Sequence, residues 1–271
     1  GDGNGTVPEG DATDRGSGGA GSAAVDGGAG NDPLRGQFDN DTIDGGLGND
    51  FILGGGNVDS LFGGEGNDTI NGDDPSLDTL VGFDTIFGGT GNDQLHGAGC
   101  QDVLFGGDDN DSLLGGADND SLDGGNGIDT LRGEAGNDTL FGQDGNDVLD
   151  GGEGIDQLFG GLGDDSIFGD AGADTLNGGI GGNDTLAGED GNDLFVFDNA
   201  SFGNDVIEDF VAGAATDDVI DFSALGISFG DLNFTDSGGD LIITITGGGS
   251  ETLTLQGLSG VALDETDDFI F

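Results

Sequence analysis

Lysine is absent from this 271-residue chain, and three arginines (Arg15, Arg35 and Arg132) stand against 56 acidic residues, for a formal charge of -53. Nucleic acid and anionic membranes are thereby excluded as partners, because both are held by clustered Lys and Arg. Tryptophan, tyrosine and methionine are also absent, while 64 residues are glycine, a composition that cannot build an ordinary globular core. A lone cysteine, Cys100, rules out an internal disulfide and a cysteine-cluster metal site. It sits in an irregular loop, Gly97-Ala98-Gly99-Cys100-Gln101-Asp102, and reads as a tolerated substitution. No apolar run is long enough for a transmembrane helix, and no N-terminal signal peptide is visible. The chain opens without Met and already glycine-rich, so a processed form or the C-terminal part of something longer is expected.

What is present is a period. From Asp84 an aspartate falls at every ninth position: Asp84, Asp93, Asp102, Asp111, Asp120, Asp129, Asp138, Asp147, Asp156, Asp165 and Asp174. Upstream the same spacing runs through Asp68, Asp59, Asp50, Asp41 and Asp32, and after an insertion at 178–184 it resumes at Asp184 and Asp193. Each aspartate of the run from Asp93 to Asp174 closes a glycine-rich hexamer and is followed two residues later by Leu or Ile, a pattern seen also in Gly63-Gly64-Glu65-Gly66-Asn67-Asp68-Thr69-Ile70-Asn71. Acid and glycine at this density would predict disorder. The regular apolar position argues against it, so folding is expected to depend on something outside the polypeptide.

The pattern reads as a loop followed by a three-residue strand, too short to stand alone, so successive repeats must stack. Glycine lets the loops turn sharply at positive φ. The expected fold is all-β: a right-handed parallel β-roll solenoid, two nonapeptides per turn, with a β-rich C-terminal cap. The eighth residues (Ile86, Leu95, Leu104, Leu113, Leu122, Leu131, Leu140, Leu149, Leu158, Ile167 and Leu176) are expected to form two facing internal ladders. Aspartates one full turn apart would then lie near the ~4.8 Å parallel-strand spacing. Two bare carboxylates at that distance repel by roughly 3 kcal/mol at an effective dielectric near 20. An oxygen-loving cation in a flexible shell relieves this; calcium fits, magnesium dehydrates reluctantly, and zinc would want absent His and Cys. Binding free energy then becomes folding free energy.

Three parts are expected: 1–26 as a degenerate N-terminal repeat, cap or linker, 27–197 as the roll, and 198–271 as the cap. In the first, Ala23 stands where the acid belongs, as in a worn terminal repeat. The segment 72–84 breaks the register, with a bulge expected at Pro75. Half of the 18 phenylalanines fall between Phe195 and Phe271. There Leu241, Ile243 and Ile245 alternate with Ile242, Thr244 and Thr246, then Gly247-Gly248-Gly249-Ser250 and Thr252-Leu253-Thr254-Leu255 follow, which reads as a β-hairpin.

These residues resemble the RTX, or hemolysin-type, calcium-binding nonapeptide repeats over 27–197. The resemblance implies multiple calcium ions held between loops one full turn apart, so that Gly97–Asp102 and Gly115–Asp120 share an ion through Asp102, Asp120 and backbone carbonyls. The metal-site residues it implies are the eighteen aspartates named above. Asp109 and Asp118 replace the fourth-position glycine, and Glu134, Gln143, Asp170 and Glu189 the second, so those corners are expected to be weaker or rearranged. Asp205-Val206-Ile207-Glu208-Asp209-Phe210 and Asp217-Asp218-Val219-Ile220-Asp221-Phe222-Ser223 are similar to the cap of serralysin-like secreted proteins. Asp267-Asp268-Phe269-Ile270-Phe271 resembles their type I secretion signal, or else a final edge strand. The family implies an extracellular location, secreted and open to cell-surface association, with ABC-type secretion machinery as a partner.

No catalytic residue is assigned. His96 occupies an outward ninth position, and one histidine cannot form the His-Glu-x-x-His zinc signature. Gly226-Ile227-Ser228-Phe229-Gly230 matches a nucleophile-elbow string but lacks the strand-then-helix context. Asp2-Gly3-Asn4-Gly5-Thr6 has only a faint EF-hand flavour. Phe87, Phe105, Phe141 and Phe159 share one column, either as an aromatic stripe for a partner or, favoured here, as stacked stiffeners. The expected function is a calcium-binding module that folds after secretion. The alternatives are a structural or adhesive surface protein that self-associates, and the tail of a secreted protease, lipase or epimerase.

Overall fold

The computed structural model describes residues 6–7, 16–74, 82–199, 201–212, 218–245, 251–258, 260–261, 263 and 268–271. The expected bulge at Pro75, the EF-hand-like residues 2–5, the hairpin turn 247–250, Asp217 and Asp267 lie outside these residues. The chain divides into two compact units, Gly1–Thr139 and Leu140–Phe271.

In the first unit each strand pairs in parallel with the strand two along, so alternate strands build two sheets. Thr85–Thr90, Val103–Asp108 and Ser121–Asn126 run side by side in one, and Gln94–Gly99, Ser112–Ala117 and Thr130–Ala135 in the other. The register stacks like on like: Ile86 faces Leu104, which faces Leu122. The fold is therefore the expected parallel β-solenoid of the roll type. Its strands are longer than the three residues read from the pattern. Val103–Asp108 spans six, because the loop's first glycines stay in the ladder, Gly107 opposite Gly89 and Gly125. All eleven predicted core residues are at most 1% exposed.

The 72–84 irregularity leaves the ladders unbroken among the described residues. Ser60–Glu65 pairs directly with Thr85–Thr90, and Thr69 faces Gln94. At the N-terminal end Ala24–Asp26 pairs with Thr42–Leu47, and Gly16–Ala20 with Pro33–Phe38.

In the second unit the same parallel pairing continues through Thr175–Ile180 and Leu194–Val196 and then past the last nonapeptide. Thr185–Ala187 is followed in its sheet by Asn204–Ile207 and Thr252–Leu255; Leu194–Val196 is followed by Val219–Asp221 and Phe269–Ile270. The expected hairpin is present, Asp240–Ile245 against Thr252–Leu255, and it gains a third antiparallel strand, Leu232–Ser237. Phe195, Phe197, Phe202, Phe210, Phe222 and Phe269 are all buried in this unit. Among the described residues no helix is long and apolar enough to cross a membrane.

Candidate metal centre

The strand pairing brings each repeat's aspartate beneath that of the next turn. The backbone N–H of one donates to the carboxylate of the other: Asp84 to Asp102 Oδ1 (2.7 Å), Asp102 to Asp120 (2.8 Å), and Asp120 to Asp138 (2.7 Å). A second ladder runs from Asp32 through Asp50, Asp68, Asp93 and Asp111 to Asp129, with every bond 2.7–2.9 Å. Asp41 accepts from Ala23 and donates to Asp59, which donates to Asp84. In the second unit Asp147 bonds Asp165, Asp156 bonds Asp174, Asp165 bonds Asp184 and Asp174 bonds Asp193. All eighteen aspartates predicted as site residues are at most 4% exposed.

Only one oxygen of each carboxylate is used in this way. Oδ2 of Asp41, Asp50, Asp59, Asp68, Asp84, Asp93, Asp102, Asp111, Asp120, Asp165, Asp174, Asp184 and Asp193 is inaccessible and accepts no hydrogen bond. It faces the first glycine of its own loop so closely that a side chain there is impossible. A Cβ on Gly106 would lie 2.5 Å from Asp111 Oδ2 and 2.5 Å from the Gly124 carbonyl; on Gly97, 2.5 Å from Asp102 Oδ2 and 2.7 Å from the Gly115 carbonyl. Carboxylate and carbonyl oxygens are thus gathered at each corner with no donor between them.

A buried anion with one of its two oxygens left without a donor resists ionisation. Burial, opposed by the neighbouring N–H and reinforced by adjacent acids, pushes Asp59, Asp102 and Asp111 up to about 8. The same cause raises Asp84, Asp93, Asp120, Asp165 and Asp174 to about 7, and Asp68, Asp184 and Asp193 to about 6. At neutral pH such groups want a proton or a cation. Among the described residues no three His, Cys, Asp or Glu side chains converge as a cage. A metal here would draw on paired carboxylates and peptide carbonyls, an all-oxygen set that suits calcium and not zinc.

The departures from consensus are absorbed by the backbone. Glu134, Gln143, Asp170 and Glu189 adopt left-handed φ of 65–77°, whereas the aligned second-position glycines Gly107, Gly116 and Gly125 reach 104–120°; the fourth-position Asp109 and Asp118 are left-handed too, at 80° and 76°. A Cβ at those wider glycine angles would strike the carbonyl one turn below, 2.1–2.2 Å away. The extra residue at 178–184 is taken up by two successive left-handed glycines, Gly181 and Gly182.

Three features escaped the sequence pattern. Asp205 continues one ladder beyond the nonapeptides: its Oδ1 accepts from the Asp184 N–H at 2.9 Å, and its Oδ2 is buried without a partner. Asp218 continues the other, accepting from Asp193 at 3.0 Å and, through Oδ2, from Val211 at 2.7 Å. The surviving Asp-x-Ile in Asp205-Val206-Ile207 and Asp218-Val219-Ile220 is the signal that could have found them. A third, outer ladder runs the opposite way, each fifth-position asparagine accepting from the N–H one turn on: Asn31 from Asn49, Asn49 from Asn67, Asn67 from Asn92, Asn92 from Asn110 and Asn110 from Ile128.

The remaining candidates resolve simply. The Ser228 hydroxyl donates to Asp231 at 2.8 Å as the cap of a short 3₁₀ turn, so it is no nucleophile elbow. Burial, then the charges of Asp118 and Asp102, raise the Cys100 thiol and disfavour its reactive thiolate. Phe62, Phe87 and Phe105 stack at 4.9–5.0 Å, as do Phe141 and Phe159 at 5.1 Å.

Comparison with known proteins follows the same lines. The RTX calcium-binding nonapeptide repeat (4 copies) matches in overlapping segments from residue 17 to 74 and from 78 to 207. No curated protein matches. Among solved structures, the chain is similar to the AlgE6R3 subunit of the Azotobacter vinelandii mannuronan C5-epimerase, with 26% identity over 57% of this chain and 78% of that one and a TM-score of 0.22. It is also similar to the extracellular lipase LipA from Serratia marcescens, with 16% identity over 92% of this chain and 45% of that one and a TM-score of 0.23. With the family pattern matched over most of its length, and the aspartates of that pattern stacked in ladders within each unit, the chain belongs to the RTX calcium-binding nonapeptide repeat family.

Proposed function

We propose that this chain is an extracellular module that stays expanded where calcium is scarce and closes into the roll on binding calcium, after export through type I secretion machinery as the C-terminal part of a larger secreted protein. The observation that supports it is the ladder of buried carboxylate oxygens with no donor. With formal charge -53, the chain has too few basic groups to neutralise them. A divalent ion supplies the missing positive charge. At a regular corner Asp102 and Asp120, with the Gly115 carbonyl, would hold it, and the first-position glycine keeps the space open. The ~10⁻⁴–10⁻³ M affinity typical of extracellular calcium modules would leave the chain unfolded during export and fold it outside. The module itself is noncatalytic on this reading, and any chemistry belongs to a segment outside it.

The test is a calcium titration of the whole chain followed by circular dichroism and ion counting. At neutral pH strand signal should appear only with metal, and several ions should be taken up per chain. A fully ordered spectrum in excess chelator at neutral pH and low ionic strength would sink the proposal.

A structural or adhesive role is the second reading. A groove of about 280 Å³ on the second unit favours it, lined by Phe159, Leu162, Asn177, Ile180, Gln143 and Asp144, with Leu162 and Ile180 about half exposed.

A further inference from the structure

At 72–84 the repeat register breaks, and this break carries a carboxylate that the consensus does not provide. The Asp59 N–H bonds Asp84 Oδ1 across 25 residues, where regular corners span 18. Asp73 lies at the second loop position of this turn, opposite Gly55, where the aligned corners carry glycine or a left-handed substitute. Its side chain is 7% exposed. Oδ1 accepts from the Gly82 N–H at 3.2 Å, while Oδ2 is inaccessible and accepts no hydrogen bond.

Asp84 crowds the same two glycines. A Cβ on Gly82 would lie 2.7 Å from Asp84 Oδ1, and one on Gly72, the chain neighbour of Asp73, 2.4 Å from Asp84 Oδ2 and 2.8 Å from the Gly97 carbonyl. Two buried carboxylates therefore share one corner with a peptide carbonyl, and each has an oxygen that accepts no hydrogen bond. The next residue, Asp74, is neutralised differently, by Arg35 at 3.3 Å. Burial, opposed by the backbone N–H groups of Gly82 and Gly99, raises Asp73 to about 6, and its charge in turn adds to the upward shifts of Asp59, Asp84 and Asp102.

We propose that Asp73 and Asp84 jointly hold a divalent cation at this break, in a corner with one carboxylate more than the regular ones, which is therefore the first to fill as calcium rises. Calcium affinity grows with the number of charged ligands, and a corner already gathered by the Asp73–Gly82 bond has less to order on binding. The inference rests on the calcium-binding reading above and adds an order of filling to it.

Calorimetric titration of the full chain with calcium tests it, comparing the wild type with Asp73→Asn, Asp73→Gly and Asp74→Asn. The wild type should show a first step of about one ion, at least about tenfold tighter than the rest. Asp73→Asn and Asp73→Gly should lose that step and bind one ion fewer, while Asp74→Asn keeps it. Asp73→Gly restores the consensus glycine, so it should reach the wild-type circular dichroism at saturating calcium. The sign of the change is decisive. If Asp73 were merely a buried unpaired charge, its removal would lower the calcium concentration needed to fold; as a ligand, its removal raises it. An unchanged or lowered midpoint, or failure of Asp73→Gly to fold at saturating calcium, overturns the proposal. A wild type that takes up no calcium at all would instead overturn the underlying reading.

Discussion

Within the second unit, the last nonapeptides and the segment after Phe197 share one parallel register but are held together by different forces. Around Ser166–Ala171 and Thr175–Ile180 each turn buries one aliphatic side chain per strand and a carboxylate whose second oxygen has no donor. Beyond Phe197 the same ladder positions pass to Asp205 and Asp218, and the space between the sheets fills with aromatic rings. Phe222 packs at 5.4 Å from Phe197 and 6.2 Å from Phe269, and Phe197 at 5.1 Å from Phe202. The Asp218 carboxylate takes N–H donors on both oxygens. Asp209 likewise accepts from Gly188 and Glu189, supplying the acceptors that another turn would have provided. The repeats thus bury one carboxylate oxygen after another without a donor; beyond Phe197 Asp205 still does so, but Asp209 and Asp218 take backbone donors on both oxygens and buried rings fill the core.

Protons can break this comparison most completely. In the repeats burial holds Asp68, Asp93, Asp102 and Asp111 at about 6 to about 8 against an ordinary 3.8, so the fold binds protons that the unfolded chain releases. Metal-free folding is then favoured fully below about pH 4 and progressively lost as pH rises through 6 to 8. Acidifying the calcium-free chain from pH 8 to pH 4 should restore strand signal by circular dichroism. At limiting calcium the apparent affinity should fall over the same range. Identical metal-free spectra at the two pH values would contradict the burial-driven account.

The next largest effect should come from the aromatic region. Phe222→Ala removes a fully buried ring with several ring neighbours and should cost about 3–5 kcal/mol by urea unfolding at saturating calcium. Because Phe222 holds no ion, the number of calcium ions bound should not change. A drop in that number would merge the two regions into one metal-dependent structure.

The smallest effect sharpens the comparison inside the repeats. Asn110→Ala deletes the acceptor for the Ile128 N–H on the exposed side of the corner and should cost about 0.5–1.5 kcal/mol. Calcium affinity should be nearly untouched, since the outer asparagine ladder and the inner aspartate ladder bond opposite neighbours. Calcium-saturated urea unfolding and a calcium titration measure the two quantities separately.

Much of this was legible in the residues. The nine-residue recurrence of aspartate and of Leu or Ile requires that each acid stack on an acid and each aliphatic on an aliphatic once strands pair in parallel, so Asp102 above Asp84 and Leu104 above Ile86 follow from spacing alone. Glycine at the first loop position follows as well, because the carboxylate and carbonyl oxygens leave no room for a Cβ. The expectation of positive charge from outside the chain rests on the imbalance of 56 acids to three bases. Pairing across a break is a different matter, since it is decided by which backbone lies alongside in space. Only the folded chain shows that Asp59 passes its hydrogen bond to Asp84, that Asp73 is buried beside it, that Phe62 joins the stack of Phe87 and Phe105, and that Asp205 and Asp218 carry the ladders beyond the repeats. The bonded and stacked pairs across these breaks are 21 to 25 residues apart and joined by irregular segments. The nine-residue spacing does not fix which residues pair across those segments, although a surviving Asp-x-Ile marks Asp205 and Asp218, and the geometry of neighbouring turns supplies the pairing.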